Sequence, residues 1–216
     1  MSDTKKVTVS ICLLVLLVGS AGATDENALS VEAGLLFVGN AEPDSAPSPV
    51  VQTLGLSFAV YEGALALVTT GVHVFGTLNQ LVEAVPLPVE LEVPGQTWIW
   101  VLNGAIELLA GFKLTLGDLA QVGFLVGPSV LLRYPLFASE DAEDDKNAAS
   151  RYYYDVGRFF YPEAGLFLRW KMSEGLAVSI SMRGYFPAYH LWHRSDLPLW
   201  HEMLVAARIG FHVRLW

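Results

Sequence analysis

Beyond residue 27 the chain sorts its side chains by parity. In "WIWVLNGAIELLAGFKLTLG" (98–117), Trp100, Leu102, Ile106, Leu108, Ala110, Phe112 and Leu114 share one parity. Asn103, Glu107, Gly111, Lys113 and Thr115 share the other. A helix mixes such sets around its circumference, whereas a strand separates them onto two faces. The same separation recurs over 28–38, 52–61, 64–76, 120–134, 161–172, 176–188 and 203–216, which makes eight segments in all. Every charge placed on these segments (Glu32, Glu107, Lys113, Arg133, Glu163, Arg169, Lys171, Arg183, Arg208 and Arg214) falls on the face opposite the apolar one.

The connections narrow the architecture further. Short turns near 61–64, 116–120 and 172–176 carry Gly beside an acidic residue, as hairpin turns prefer. Long connections over 40–50, 77–97, 136–159 and 190–202 alternate strictly with them. That is the layout of eight antiparallel strands with both ends of the chain on the side of the short turns. Membrane barrels combine an even strand count, short turns at one end, longer loops at the other and alternating segments of about 10 residues.

A secreted β-sandwich or a lipocalin-like barrel is the competing architecture, since either also alternates over about eight strands. Two observations favour a membrane barrel. The segments run roughly 10 to 20 residues, longer than the usual 5–6 of soluble sheets. Aromatics such as Trp98, Trp100, Tyr134, Trp170, Phe186 and Trp200 gather near segment ends, where an interfacial girdle sits. Composition agrees: 53% of residues are hydrophobic and only 16% charged, with a mean hydropathy of +0.42. Soluble domains carry about 25% charged residues.

Residues 1–23 read as a leader. Lys5 and Lys6 supply a positive start, diluted by Asp3, "VTVSICLLVLLVG" an apolar centre, and "AGA" small residues before a cleavage point at Thr24. A retained helical anchor is the alternative, but the apolar run falls short of the ~20 residues needed to span a bilayer. Cys12, the only cysteine, lies inside this leader, so the expected mature domain, 24–216, has no disulfide. The whole chain is acidic, with 22 Asp and Glu against 13 Lys and Arg. Loss of the leader leaves a charge of roughly −10, which argues against nucleic acid as a partner.

In layout, the mature chain resembles the small eight-stranded outer-membrane barrels of the OmpX, OmpW and OmpA-domain type over nearly its whole length. The resemblance implies a closed all-β barrel in the bacterial outer membrane, surrounded by lipid and inserted by the barrel-assembly machinery. It is compatible with two functions. One is OmpW-like passage of small apolar solutes. The other is OmpX-like adhesion, recognition of a host or surface ligand by the outer loops, or a structural role with a closed lumen.

Eight strands leave an interior just wide enough for side chains to fill. Seven bases (Lys113, Arg133, Arg169, Lys171, Arg183, Arg208, Arg214) and three acids (Glu32, Glu107, Glu163) are expected there. The main expectation is a salt-bridged network closing the lumen; the sharper one is an anion-attracting path set by the excess basic charge. His73 and His212 are expected to point inward as well.

Other motifs carry less. His190, His193, His201 and Glu202 cluster around the last long loop, but without a third close ligand or a cysteine the spacing is weak for zinc. No metal or cofactor is expected. "GPSV" (127–130) lacks the flanking glycines of a nucleophile elbow, and no enzymatic activity is expected. "ASEDAEDDKNAAS" (138–150) reads as a solvated acidic loop. "SRYYYDVGRFFYP" (150–162) reads as outer girdle and rim, or as a sticky recognition surface. "LVEAVPLPVELEVPG" (81–95) reads as an apolar loop over the mouth or at the entry for an apolar solute.

Two local points test the register. Pro128 falls in mid-strand, where a bulge is expected. Phe211, Val213, Leu215 and Trp216 form the expected C-terminal assembly signal, although Trp216 shares parity with the inward arginines rather than with the outward set.

Overall fold

A computed structural model describes residues 28–41, 48–62, 65–82, 85–92, 95–138, 143–193 and 198–214. Residues 1–23, expected to be a leader, and Leu215 and Trp216 of the expected assembly signal lie outside these residues. Nine strands form one sheet: β1 (Ala28–Val38), β2 (Val50–Glu62), β3 (Ala66–Val82), β4 (Val85–Val89), β5 (Trp98–Leu116), β6 (Ala120–Ala138), β7 (Phe160–Lys171), β8 (Leu176–Tyr185) and β9 (Leu204–Arg214). Eight of them close a ring. β9 pairs with β1 from Ala28↔Arg214 to Val38↔Leu204, and β2 pairs with β3, so no long strand is left with an open edge. All pairings are antiparallel. The fold is thus the closed eight-stranded antiparallel barrel expected from the alternation.

β4 is the ninth strand and stands outside the ring count. β3 pairs with β2 only up to Thr53↔Phe75, and its upper end, Leu78–Val82, pairs with β4 instead. The segment 77–97, expected to be a loop, therefore holds the end of β3 and a hairpin partner for it. Its prolines do not prevent this, because β4 lies on the rim and uses one edge for pairing. Pro86, Leu87, Pro88 and Val89 are buried, so this apolar stretch packs onto the barrel end. The segment 136–159 likewise holds the last residues of β6, an α-helix, α1 (Glu143–Tyr154), and a 3-10 turn (Asp155–Gly157).

The bulge expected at Pro128 is absent. The register between β5 and β6 is the same on both sides of that residue (Glu107↔Ser129 and Ala110↔Val126), with two ladder positions omitted between them. On its other side Pro128 stands opposite Pro162 of β7 in unbroken register, so the missing donor of Pro128 coincides with a skip in the β5–β6 ladder rather than with a shift. Bulges occur elsewhere, between Trp100 and Val101 and between Ala59 and Tyr61. The second matters for the lumen. One extra residue reverses the inward parity of everything after it. Glu62, outward by strict alternation, is thereby turned inward and buried.

Apolar residues on the outer face are broadly exposed all round the ring: Val31, Leu54, Leu108, Phe124, Leu166 and Ile209 lie between 43% and 60%. Monomeric soluble proteins rarely expose apolar patches beyond a few hundred Å². A continuous belt of this kind on a ring without edges is a lipid-facing surface. No helix among the described residues is long and apolar enough to cross a membrane, so the crossing is made by strands. The long connections lie at one end, here termed outer, and the short turns at the other.

Candidate functional site: the lumen and its outer mouth

The inward residues stack in tiers that alternate between charge and hydrocarbon. Nearest the short turns, Glu62 Oε1 accepts from Lys113 Nζ at 2.6 Å and from Arg169 Nη1 at 2.9 Å. Above it, on the β2, β3, β5, β6 and β7 walls, lies an apolar cluster of Ala59, Leu67, Leu109, Leu125 and Phe167, while Ser30, Ser179, Ser181 and His212 line the β1, β8 and β9 side.

The central tier is the most highly connected. Arg208 Nη2 donates to Glu107 Oε1 at 3.1 Å and to the Tyr185 hydroxyl, and its Nη1 lies 3.0 Å from His73 Nε2. Tyr185 donates to Glu107 at 2.5 Å. Glu32 accepts from Ser57 at 2.7 Å and sits 3.8 Å from Arg208, while Arg183 donates to Glu163 at 3.3 Å. A second apolar tier follows, built from Leu36, Val38, Phe75, Ala105, Leu131, Leu204 and Ala206 with the rings of Tyr161 and Tyr185.

At the outer end Arg133 donates to Tyr161 at 2.5 Å and faces Glu202 at 3.9 Å. Tyr153 of α1 covers this tier, its ring 5.0 Å from the Arg133 guanidinium and packed with Ile99, Val101 and Ala149. Burial pushes the Tyr153 hydroxyl well above its ordinary pKa, with Glu202, Tyr152 and Tyr161 adding to that shift and Arg133 opposing it, so it stays protonated. Arg158 is sandwiched between Tyr152 and Tyr189, at 3.8 and 4.3 Å from their ring centres, and donates to Tyr152 at 2.5 Å.

Backbone contacts tie the outer segments together. Trp192 donates to the Val156 carbonyl at 2.7 Å, and Gly157, at φ +81°, brings that turn against the Trp192 ring. Gly39 lets the end of β1 pass directly beneath the Trp200 carbonyl, where any Cβ would collide.

The expected network residues separate into two groups. Glu32, Glu107, Lys113, Arg133, Glu163, Arg169, Arg183 and Arg208 line the closed interior, and His73 joins them. Lys171 and Arg214 do not join it: both are exposed and line an open cup of about 510 Å³ at the short-turn end. His212 lies at the base of that cup, with its Nε2 2.7 Å from Ser179 Oγ.

Two acids absent from the expected set, Glu62 and Glu202, enter the interior instead. The anticipated excess of four positive charges is therefore corrected to near balance: five buried acids (Glu32, Glu62, Glu107, Glu163, Glu202) against five bases (Lys113, Arg133, Arg169, Arg183, Arg208). Arg158 adds one charge at the mouth, 4.0 Å from Glu202. Tyr161, also outside the expected set, was legible by parity with Glu163; Glu62 and Glu202 had no such signal.

Among the described residues, the closed part of the lumen keeps a void of about 30 Å³ beside Glu32 and Arg183 and another of about 20 Å³ beside Arg133 and Tyr153. Each is the size of one or two water molecules. Among the described residues, no three His, Cys, Asp or Glu side chains converge as metal ligands. His201, one of the loop histidines, uses its Nδ1 to accept from the Ala41 amide. In β9, Phe211 and Val213 face outward, about half exposed.

No family model matches the sequence, and neither does any curated protein. Solved structures do. The crystal structure of Neisserial surface protein A aligns with 90% of this chain and 99% of its own, at 7% identity and a TM-score of 0.51. The outer membrane protein OprG from Pseudomonas aeruginosa aligns with 90% and 99%, at 10% identity and a TM-score of 0.53. At such identities the likeness is one of fold. With the outward apolar belt and the sealed ring, it establishes that the chain is an eight-stranded antiparallel β-barrel of the kind that spans the bacterial outer membrane.

Proposed function

We propose that this barrel keeps its lumen shut and acts through its ordered outer face, as a surface-recognition or structural protein without enzymatic chemistry. The observation that supports this reading is the tiering of the lumen. Above the central charges an apolar layer of Leu36, Phe75, Leu131, Leu204 and Ala206 crosses the lumen, and below them the space beside Ser30, Ser57, Ser179 and His212 is a void of only about 30 Å³. An ion crossing Leu36, Phe75 and Leu131 would shed its hydration against hydrocarbon, above charges that already face opposite partners. The outer face fits recognition because α1, β4 and the segment 186–193 are held by ring stacking and backbone bonds.

In this reading the leader 1–23 is removed on export. The barrel-assembly machinery then inserts the chain, with Phe211 and Val213 as the described part of the C-terminal signal. Lysine and arginine in the lumen act as struts rather than as an anion filter.

OmpW-like passage of small apolar solutes is the second reading. One feature favours it: above Thr53↔Phe75 the β2–β3 ladder stops and β4 takes over, leaving a short unpaired stretch in the wall. Planar-bilayer recording on the refolded chain separates the two. The expected result is no discrete conductance at neutral pH and no solute-driven swelling of proteoliposomes. Steady single-channel steps, or swelling with small solutes, would reject the closed-lumen reading.

A further inference from the structure

The first and last outer connections meet at a single buried imidazole. Gly39 N donates to the Met203 carbonyl and Glu202 N donates to the Gly39 carbonyl, both at 2.8 Å. The third bond of this seam runs from Ala41 N to His201 Nδ1 at 3.2 Å. The His201 side chain is fully enclosed, and its own carbonyl lies 3.2 Å from His190 Nε2. The next residue, Glu202, holds φ +61°, a left-handed conformation uncommon for a residue with a side chain. Such a conformation persists only while its surroundings impose it.

We infer that the seam at His201 is an acid-released latch, closed while the imidazole is neutral and opened when it takes up a proton. The chemistry lies in the Nδ1 atom. To accept from Ala41, the neutral ring must carry its proton on Nε2. A second proton can go only to Nδ1, which then points a donor at a donor and forfeits the bond.

The surroundings disfavour the cation as well. Arg133 on β6 and Arg158 after α1 both act on the site, and His190 and His193 lie on the adjoining turn. Glu202, on the same segment, is the acid that favours protonation, but it is drawn toward the two arginines. The described residues of the first connection nearby, Asn40, Ala41 and Ser48, do not titrate. Burial holds His201 below its ordinary pKa of 6.5, with Glu202 opposing and His190, Arg158 and Arg133 reinforcing that shift.

The sign follows from linkage. The closed seam binds fewer protons than the open one, so its stability is fully present above pH 6.5 and falls as the pH drops below it. Release frees the first connection from the 198–203 turn and relaxes the backbone at Glu202. The outer face would then present a different surface in acidic surroundings. This inference goes beyond the closed-lumen reading and does not depend on it, since the seam joins outer connections only.

The test is hydrogen exchange on the full chain in lipid nanodiscs, read as the protection factor of the Ala41 amide. Between pH 7.5 and 5.0 that factor is expected to fall severalfold, up to the limit of about 30-fold for a closed form that takes up no proton. The fall should begin near pH 6.5, the ordinary pKa that the ring regains once the seam opens. His201→Asn places an amide oxygen near the Nδ1 position and cannot titrate, so its protection is expected to change less than twofold over the same range. Constant protection in the natural chain overturns the latch. So does a fall that is complete above pH 6.5, or one that persists in His201→Asn.

Discussion

Replacing Arg208 by methionine is expected to destabilise the barrel by about 3–5 kcal/mol, the cost of leaving a buried charge without its partner. Arg208 bridges more of the lumen than any neighbour in its tier. It reaches Glu107 and Glu32 on β5 and β1, His73 on β3 and the Tyr185 hydroxyl on β8. Without it, Glu107 keeps Tyr185 at 2.5 Å and His73 at 3.3 Å, in a buried layer beneath the apolar tier of Leu36, Phe75 and Leu131.

A second substitution checks the cause. Adding Glu107→Gln to Arg208→Met removes the stranded carboxylate, and much of the lost stability should return, because a neutral pair is far cheaper to bury than half an ion pair. Urea unfolding in lipid vesicles, followed by tryptophan fluorescence, gives both values. A single variant that loses under 1 kcal/mol, or a double variant no better than the single, would contradict the network described here.

The outward face makes a prediction of similar size with the opposite geometry. Ile180 lies at the middle of β8, half exposed, opposite Leu168 on one side and Ile209 on the other. If that belt is in lipid, Ile180→Arg costs about 2–4 kcal/mol, while Leu176→Arg at the strand's short-turn end costs about 0–1 kcal/mol. The depth dependence is the informative part. A soluble barrel would tolerate both substitutions, since each adds a charge to a surface already in water. Equal and small effects at the two positions, measured by the same unfolding assay, would remove the case for a lipid belt.

The fold was legible because the bilayer imposes a strict rule on sequence. Each strand faces lipid on one side and a narrow interior on the other, so any departure from alternation puts a charge in hydrocarbon. That is why the ten charged positions sorted by parity, and why the eight segments could be recognised without any short motif. The interior was less legible. Glu62 breaks parity because of a bulge between Ala59 and Tyr61, and nothing local in "AVYEGA" announces which residue is inserted. Glu202 lies in a turn, outside any alternating pattern, and reaches Arg133 only because the last connection folds back over the mouth. Tyr153 read as rim and is instead part of the cover, since a helix in 143–154 carries no alternation to reveal its direction.

What the sequence determined by itself was the closed antiparallel ring, the identity of its two faces and the eight lumen charges that remain inside. Period two is a property of the strand alone, and the membrane gives it no latitude. What only the tertiary structure decided was the charge balance. A bulge turned Glu62 inward, a folded-back turn delivered Glu202, and the ends of the strands left Lys171 and Arg214 in the open cup. Those outcomes depend on strand register and loop closure, which bring together residues as far apart as Glu62 and Arg169 and leave no trace in the spacing along the chain.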